Sequence, residues 1–349
     1  MEKLKDILKR NRLERKETLS TLSIKSGIAV AVLNKFEKGV RVPNRLQLEA
    51  ISKALKIKGN DLKTVWLAEK ILYEIGEDVD GLGALKLAES FYTYKLKKND
   101  NIEVLLLEVD KLKKKLDKKR PLPKAQLKNL MGAFKIDFTY ESNKIEGNTL
   151  TLQETAMVVD KGITIGGKSL NEHLEAINHS EAFDFVLELV KGKAEISEYN
   201  LLQLHAIILK SIDKENAGRY RNLNVRIGGS KHAPPEPSLI RPQMEDLFNY
   251  YERMKLELHP LLLAADMHYK LVTIHPFIDG NGRTSRLLMN LIAYQFGNPM
   301  INISGSYESR MGYYKALEIN RESSHQEAFR EFILKEAIKS LKDWIKWVG

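Results

Sequence analysis

A short stretch between His275 and Arg286 concentrates side chains that could carry out phosphate chemistry. Histidine titrates near neutral pH, so His275 can accept a proton as a general base. Asp279 offers a hard carboxylate oxygen of the kind that Mg²⁺ prefers. Arg283 and Arg286 lie three residues apart, so both guanidinium groups can lie on one side of a helical turn. The stretch therefore predicts a site that binds and transfers phosphate groups.

Two helices and a glycine-rich loop must position these side chains. The apolar run 262–274 predicts a helix that Pro276 cannot continue, because proline has no amide hydrogen and clashes with the preceding turn. Gly280 and Gly282 permit a tight loop with positive φ. Helical spacing resumes over 283–296, so the loop leads into a helix N-terminus, where free amides and the helix dipole suit an anion.

The same stretch resembles the signature of the Fic domain family, His-Pro-Phe-x-(Asp/Glu)-Gly-Asn-Gly-Arg-x-x-Arg. Every defined position is filled, by His275, Pro276, Phe277, Asp279, Gly280, Asn281, Gly282, Arg283 and Arg286. Most family members with this version of the signature transfer AMP from ATP to a hydroxyl side chain of another protein. The resemblance implies a mainly α-helical bundle with a short β-hairpin flap, and it implies ATP and Mg²⁺ as cofactors.

The resemblance also gives each residue of the signature a role. It implies that His275 takes the proton from a Tyr, Thr or Ser hydroxyl of the target protein. Asp279 would hold Mg²⁺ against the α- and β-phosphates. The other phosphate contacts fall to the loop amides and the two arginines, at Gly280, Asn281, Gly282, Arg283 and Arg286. Among these, Arg286 would hold the γ-phosphate.

A pattern upstream of the signature concerns regulation. Ser142 and Glu146 lie four residues apart at the end of a predicted helix, and Gly147 is suited to ending that helix. The pattern resembles the inhibitory Ser/Thr-x-x-x-Glu-Gly/Asn motif of many Fic proteins, which would place the inhibitory helix near 131–147. The resemblance implies a bidentate pair between Glu146 and Arg286, on the arginine that the γ-phosphate would otherwise use.

Two further segments resemble parts of the Fic active site. Strand-like alternation in the first, followed by a Gly-Gly turn, predicts the hairpin flap, with the flap residues Val225, Arg226 and Ile227. The exposed edge of such a flap could align a target segment by backbone pairing. The second segment follows the residue order of the family's adenine pocket, at Tyr313, Tyr314, Leu317 and Asn320.

The N-terminal third carries the whole basic surplus of the chain. The net charge is +10, and residues 1–124 contribute +11, with 29 Lys+Arg against 18 Asp+Glu. Apolar spacing over 4–66 predicts several short helices. This part resembles the helix-turn-helix family of phage repressors and Cro proteins, through Gly27-Ile28, Phe36-Glu37-Lys38-Gly39 and Pro43. The resemblance implies DNA as a partner of residues 1–68.

Two departures from the repressor pattern leave an alternative open. Leu19 stands where the family usually has a glutamine that contacts phosphate, and the recognition helix would begin with the apolar run 29–32. Base edges are read by polar forks such as Arg, Asn and Gln, so sequence-specific contacts are few. Cations could still contact phosphates, at Lys25, Lys35, Lys38, Arg41 and Arg45. The alternative is a helical domain for protein contacts or for a homodimer.

Composition indicates a soluble globular protein, with 43% hydrophobic and 29% charged residues. Cysteine is absent, no apolar run reaches membrane-spanning length, and the first residues lack the apolar core of a signal peptide. We therefore expect a cytoplasmic location and no membrane partner. The predicted organisation is a helix-turn-helix domain at 1–68, a helical linker at 69–124 with a polar loop at 76–83, and a Fic domain at 125–349.

Together these patterns predict an auto-inhibited, Mg²⁺-dependent protein adenylyltransferase. Two other enzymatic functions stay open at this point, namely removal of AMP from a modified protein, with Glu146 orienting a water, and transfer of a different nucleotide or phosphate group. A third alternative is a DNA-binding regulator whose Fic domain senses a nucleotide.

Overall fold

The computed structural model describes residues 2–57, 61–76, 80–322 and 327–349, and the regular secondary structure in these ranges is helical. The prediction of a mainly α-helical protein is therefore confirmed. The chain divides into two compact units, Met1–Tyr94 and Lys95–Gly349. Within the described residues, no helix is both long enough and apolar enough to cross a membrane.

The N-terminal unit packs short helices around a small apolar core. Its helices are α1 (Leu4–Glu14), α2 (Leu19–Ser26), α3 (Val30–Glu37), α4 (Arg45–Ala54), α5 (Asp61–Ile75) and the first part of α6 (Gly81–Asp117). Thr18 caps the start of α2 by accepting a hydrogen bond from the Thr21 amide, and Gly27 ends the helix with a positive φ of 69°. The core side chains include Leu8, Leu22, Leu33, Phe36, Ile51 and Trp66.

The start of α6 differs from the loop that the sequence predicts over 76–83. The helix begins at Gly81, while residues 77–79 lie outside the described residues. Gly83, inside the first turn of α6, costs a helix only about 1 kcal/mol relative to alanine, so the following helical pattern prevails. The helix predicted at 104–116 falls within α6.

The second unit is a helical bundle. Its helices after α6 are α7 (Lys124–Ile145), α8 (Leu152–Lys161), α9 (Leu170–Lys191), α10 (Glu198–Leu209), α11 (Ile240–Met254), α12 (Pro260–Ile274), α13 (Asn281–Gln295), α14 (Tyr307–Glu322) and α15 (Glu327–Trp347). The α12–α13 hairpin lies at the centre, because both helices are buried along most of their lengths. α12 packs against α11 and α15, and α13 packs against α9 and α10. The loop that carries the signature joins these two central helices.

The segment between α10 and α11 does not contain the predicted β-hairpin. Residues 224–227 have no regular secondary structure, and the described part of the chain has no strand. The turn itself is present, since the Ser230 amide donates to the Ile227 carbonyl at 3.2 Å. The returning segment carries Pro234 and Pro235, which have no amide hydrogen for a strand ladder. We keep the name flap segment for residues 219–237.

Candidate active site

The signature forms a tight loop between α12 and α13. α12 ends at His275, whose backbone adopts φ 50° and ψ 57°, and Gly280 precedes α13 with φ 75°. The side chain of Asn281 braces the loop, because its Oδ1 accepts from the Phe277 amide at 3.0 Å and its Nδ2 donates to the Phe277 carbonyl at 2.9 Å. Both polar atoms of the Asn281 side chain thus make hydrogen bonds within the loop. The amides of the first turn of α13 have no acceptor within the helix.

A second brace comes from His205. The imidazole stacks on Phe277 with 3.6 Å between ring centroids. The Gly218 amide donates to Nδ1 at 3.0 Å, so the proton lies on Nε2, which donates to the Asp279 carbonyl at 3.0 Å. Burial lowers the pKa of His205 to about 4, so the ring is neutral at pH 7. A side chain at position 280 would press on this ring, since an added Cβ would lie 3.3 Å from Nε2.

His275 has the protonation state that a general base needs. Burial lowers its pKa to about 4, so the imidazole is neutral at pH 7. Its Nδ1 lies 3.4 Å from the Val272 carbonyl, which can only accept, so Nδ1 carries the proton. The lone pair on Nε2 is therefore left to accept a proton from another group.

The predicted contact between the inhibitory motif and the second arginine is present. Arg286 is only 1% exposed, and its Nη2 donates to Glu146 Oε1 at 2.6 Å. The contact is single rather than bidentate, because the guanidinium also donates to Ser142, from Nε to Oγ at 2.9 Å and from Nη2 to the carbonyl at 2.9 Å. Gly147 follows with φ 103°, as expected for a glycine that ends α7.

The Glu146 carboxylate lies directly above the glycine loop. A Cβ added to Gly282 would lie 2.2 Å from Glu146 Oε1 and 3.0 Å from Arg286 Nη1. Both the carboxylate and the guanidinium thus approach the start of α13 as closely as a glycine permits. An anionic oxygen occupies the place where the loop, the helix N-terminus and Arg286 all favour negative charge.

The first arginine of the signature is held by two carboxylates. Arg283 is 2% exposed and donates to Asp279 Oδ2 at 3.0 Å and to Glu175 Oε1 at 3.2 Å. Glu175 also accepts from Asn148 Nδ2 at 2.8 Å, which ties α9 to the residue after Gly147. Sequence reasoning missed Glu175, because no short motif includes it and helix packing alone brings it to Arg283.

Asp279 is the carboxylate of the loop that stays accessible, with its side chain 59% exposed. The described residues contain no group of three or more His, Cys, Asp or Glu side chains that could hold a metal by themselves. Mg²⁺ commonly binds through one or two carboxylates and completes its shell with substrate phosphates and water. A single exposed carboxylate beside an anion-binding loop fits that mode, so Asp279 is the residue that would hold the ion.

A cavity of about 830 Å³ opens beside the loop and is lined by the predicted base and by three of the four residues predicted to bind adenine. Glu146, His275 and Gly282 line one part, and the flap turn 227–230 lines another. The wall from α14 includes Tyr313, Tyr314, Lys315, Leu317, Glu318 and Arg321. This volume is within the range of nucleotide-sized sites.

Of the four residues predicted for the adenine pocket, three line the cavity and one does not. Tyr314 and Leu317 line the cavity, and the Tyr314 hydroxyl donates to the Ile145 carbonyl at 3.1 Å. Tyr313 lines it with little freedom, because it is 2% exposed and its hydroxyl lies 3.2 Å from His268 Nε2. Asn320 is not among the lining residues, and its Oδ1 accepts from the Phe329 amide at 3.0 Å.

Comparison with known proteins agrees with the signature. Residues 195–293 match the family model described as the Fic/DOC family. The protein named protein adenylyltransferase Fic of Nematostella vectensis is 38% identical over 213 residues, which cover 60% of this chain and 49% of that protein. The protein named protein adenylyltransferase fic-1 of Caenorhabditis elegans is 38% identical over 185 residues, covering 52% and 36%. The chain spans about half or less of the length of these curated relatives.

Solved structures have a similar fold. A Fic domain containing signaling protein from Bacteroides thetaiotaomicron has a TM-score of 0.62 and 29% identity, covering 69% of this chain and 97% of that one. Fic-1 from C. elegans has a TM-score of 0.66 and 24% identity, covering 94% and 96%. Residues 195–293 thus match the Fic/DOC family model, and the described helical bundle is similar in fold to these structures. The curated relatives of this domain are named as protein adenylyltransferases, which are nucleotidyltransferases.

The close approach at Gly282 leads to a testable expectation. Gly282→Ala adds a methyl group inside the space shared by Glu146 and Arg286, so we expect the affinity for ATP to fall at least roughly tenfold, or about 1.4 kcal/mol. Calorimetric titration with ATP measures this. Gly228→Ala is the control, because its Cβ would meet nothing within 4 Å although it lines the same cavity. Equal affinities of both variants and the wild type would show that the loop does not hold the phosphates.

Proposed function

We propose that this protein is an auto-inhibited protein adenylyltransferase that moves AMP from ATP to a Tyr, Thr or Ser hydroxyl of a target protein, with Mg²⁺. The observation that supports it best is the sharing of one cavity by a neutral His275, the glycine loop and the α14 wall. The names of the relatives support the same activity.

The chemistry assigned to the chain's own residues is proton transfer and the positioning of phosphates. The target hydroxyl oxygen attacks the α-phosphorus, and the bond from that phosphorus to the bridging oxygen of the β-phosphate breaks. Nε2 of His275 takes the hydroxyl proton, and pyrophosphate leaves with the electron pair. Amides at the start of α13, with Arg283, stabilise the charge on the transferring and leaving groups. Mg²⁺ held by Asp279 would neutralise phosphate charge.

Auto-inhibition follows from a shared set of donors. Glu146 takes a hydrogen bond from Arg286 and lies over Gly282, where a γ-phosphate would need the same guanidinium and the same open space. One anion must therefore leave before the other is bound fully. Glu146 also lies in the cavity with His275, which supports AMP removal, with Glu146 orienting a water, as the second enzymatic candidate.

The first test concerns the base. His275→Ala should lower AMP transfer to protein by at least ~10²-fold while ATP binding is retained, because positioned proton transfer is typically worth ~10²–10⁴-fold in rate. Transfer is followed by mass spectrometry of lysate proteins incubated with labelled ATP and Mg²⁺. His259→Ala, at the other end of α12, should transfer AMP as the wild type does. Near-normal transfer by a folded His275→Ala protein would remove His275 from the mechanism.

The second test concerns the contact between Glu146 and Arg286. Glu146→Gly should raise AMP transfer, including self-modification, by at least roughly tenfold, corresponding to about 1.4 kcal/mol, because it frees Arg286 and removes negative charge from the phosphate site. Arg286→Ala should not mimic this activation, because this variant loses the contact with the γ-phosphate as well as the contact with Glu146. The double variant should resemble Arg286→Ala.

Transfer rates of these three variants at matched ATP concentration provide the measurement. Unchanged or lower transfer in a well-folded Glu146→Gly protein would contradict the inhibitory role of Glu146. Loss of AMP removal from a modified protein in the same variant would favour the reverse reaction as the main activity.

For the N-terminal unit we propose contact with nucleic acid. Two features support it: the α2–Gly27–α3 arrangement and the exposed cations on and after α3, at Lys35, Lys38 and Arg41. The exposed start of α3 is apolar, with Val30 40% exposed, so the contacts fall on phosphates rather than base edges. Contacts of this kind give affinity with little sequence preference.

This proposal predicts weak, salt-dependent DNA binding. The dissociation constant of the full chain for a random-sequence duplex should rise steeply with salt, because each neutralised phosphate releases counterions. Fluorescence anisotropy across salt concentrations measures it. Lys35→Ala with Lys38→Ala should reduce the salt slope, by about one for each phosphate that is no longer neutralised, whereas Lys9→Ala with Lys63→Ala should not. A single preferred operator that is still bound at high salt would contradict this account.

A further inference from the structure

Arg221 makes an unusual set of contacts at the base of the flap segment. It is 3% exposed, and its guanidinium donates only to backbone carbonyls. Nε donates to the His275 carbonyl at 2.9 Å, Nη1 to Leu223 at 2.8 Å and Nη2 to Pro235 at 2.7 Å. The Arg221 backbone amide adds a fourth bond, to the Pro276 carbonyl at 2.9 Å.

These contacts join three parts of the chain. Leu223 lies on the outgoing side of the flap segment and Pro235 on its returning side, while His275 and Pro276 directly follow α12. A strand ladder would normally hold two such arms together, but this segment has none. The planar fork of one arginine therefore closes the flap segment and attaches it to the catalytic loop.

The same contacts stabilise the backbone of His275. Its φ of 50° lies in the left-handed region, which is unfavourable for a non-glycine residue. The carbonyls of His275 and Pro276 lie beyond the last turn of α12 and need donors from elsewhere. Arg221 supplies both donors and places a positive charge at the negative end of the helix dipole.

The charge of Arg221 is costly, which argues against a purely structural role. Within the described ranges no carboxylate forms an ion pair with it, and burial lowers its pKa. Burying a cation without a counterion is costly, and ionisable groups with perturbed pKa values cluster at functional sites. A neutral donor could satisfy one of these carbonyls at lower cost, but not all of them.

We propose that Arg221 is a positioning residue for AMP transfer: it fixes the backbone of His275 and closes the base of the flap segment, so that the base and the target-binding surface keep one relative geometry. This inference rests on the proposed role of His275. It adds a device that neither the signature nor the inhibitory motif contains.

The positive charge of Arg221 also affects the pKa of His275. Besides burial, the hydrogen bond to the Val272 carbonyl raises the pKa of His275, Arg221 and His232 of the flap segment lower it, and Glu146 of α7 raises it. Loss of the Arg221 charge should therefore raise the pKa of His275 from about 4, and the acid limb of the rate profile should move to higher pH. Removal of the hydrogen bonds alone should leave that limb in place.

Two variants separate the charge from the hydrogen bonds. Arg221→Lys keeps a positive charge but cannot bond three carbonyls in one plane, whereas Arg221→Met loses both. We expect kcat to fall at least roughly tenfold in both variants, because small displacements of a positioned base are costly. The pKa of His275, followed by NMR of its ring, should rise by at least about 0.5 unit in Arg221→Met and stay within about 0.3 unit of wild type in Arg221→Lys.

A third readout needs no activity and so keeps this inference apart from the proposed function. Trypsin cleavage after the exposed Arg226 and Lys231 of the flap segment, followed by mass spectrometry, should be faster in both variants than in the wild type. If the wild type transfers no AMP, the proposed function fails, but NMR and proteolysis still test the positioning by Arg221. Wild-type cleavage rates with an unchanged His275 pKa in a folded Arg221→Met protein would overturn the inference. Equal losses of kcat in both variants, with the same His275 pKa in both, would leave Arg221 only a structural role and would also overturn the inference.

Discussion

The contact between Glu146 and the buried Arg286 is the constraint on which the rest of the site depends. Arg286 is 1% exposed, and a buried charge is costly unless it is paired, so an anionic partner stabilises its guanidinium. In the structure that partner is a carboxylate from the end of α7, 2.6 Å from Nη2. The γ-phosphate of ATP is the other anion of suitable charge, so the two proposed states differ in which anion binds Arg286.

The fold suits the proposed exchange, because the hydrogen-bond donors lie in the packed core and the Glu146 carboxylate lies at a partly exposed helix end. α12 and α13 are buried along most of their lengths, and the loop between them is braced by His205 and Asn281. Glu146 is the last residue before a glycine with positive φ, and its side chain is 34% exposed. The residue that leaves in the proposed exchange therefore lies at a helix end, while the residues proposed to bind phosphate lie in the core.

The sequence predicts those parts of the site that a short motif carries, including one contact between two motifs 140 residues apart. The loop, the helix that follows it and the contact between Glu146 and Arg286 come from one signature and one motif, and the structure brings them together. The braces His205, Glu175 and Arg221 act across 54 or more residues and depend on how the helices pack, so no spacing in the sequence indicates them. For the same reason the flap could be located by its Gly-Gly turn, but its lack of a strand ladder could not be foreseen.

Competition between one carboxylate and one phosphate is the central claim, and the affinity for a nucleotide tests it most directly. Calorimetric titration of a non-hydrolysable ATP analogue with Mg²⁺ into Glu146→Gln, which keeps the shape and removes the charge, should give at least roughly tenfold tighter binding than the wild type, or about 1.4 kcal/mol. Glu318→Gln, which neutralises a carboxylate elsewhere in the same cavity, should bind nearly as the wild type does. Equal affinities of Glu146→Gln and the wild type, or the same gain in both variants, would contradict the claim that Glu146 holds the place of the phosphate.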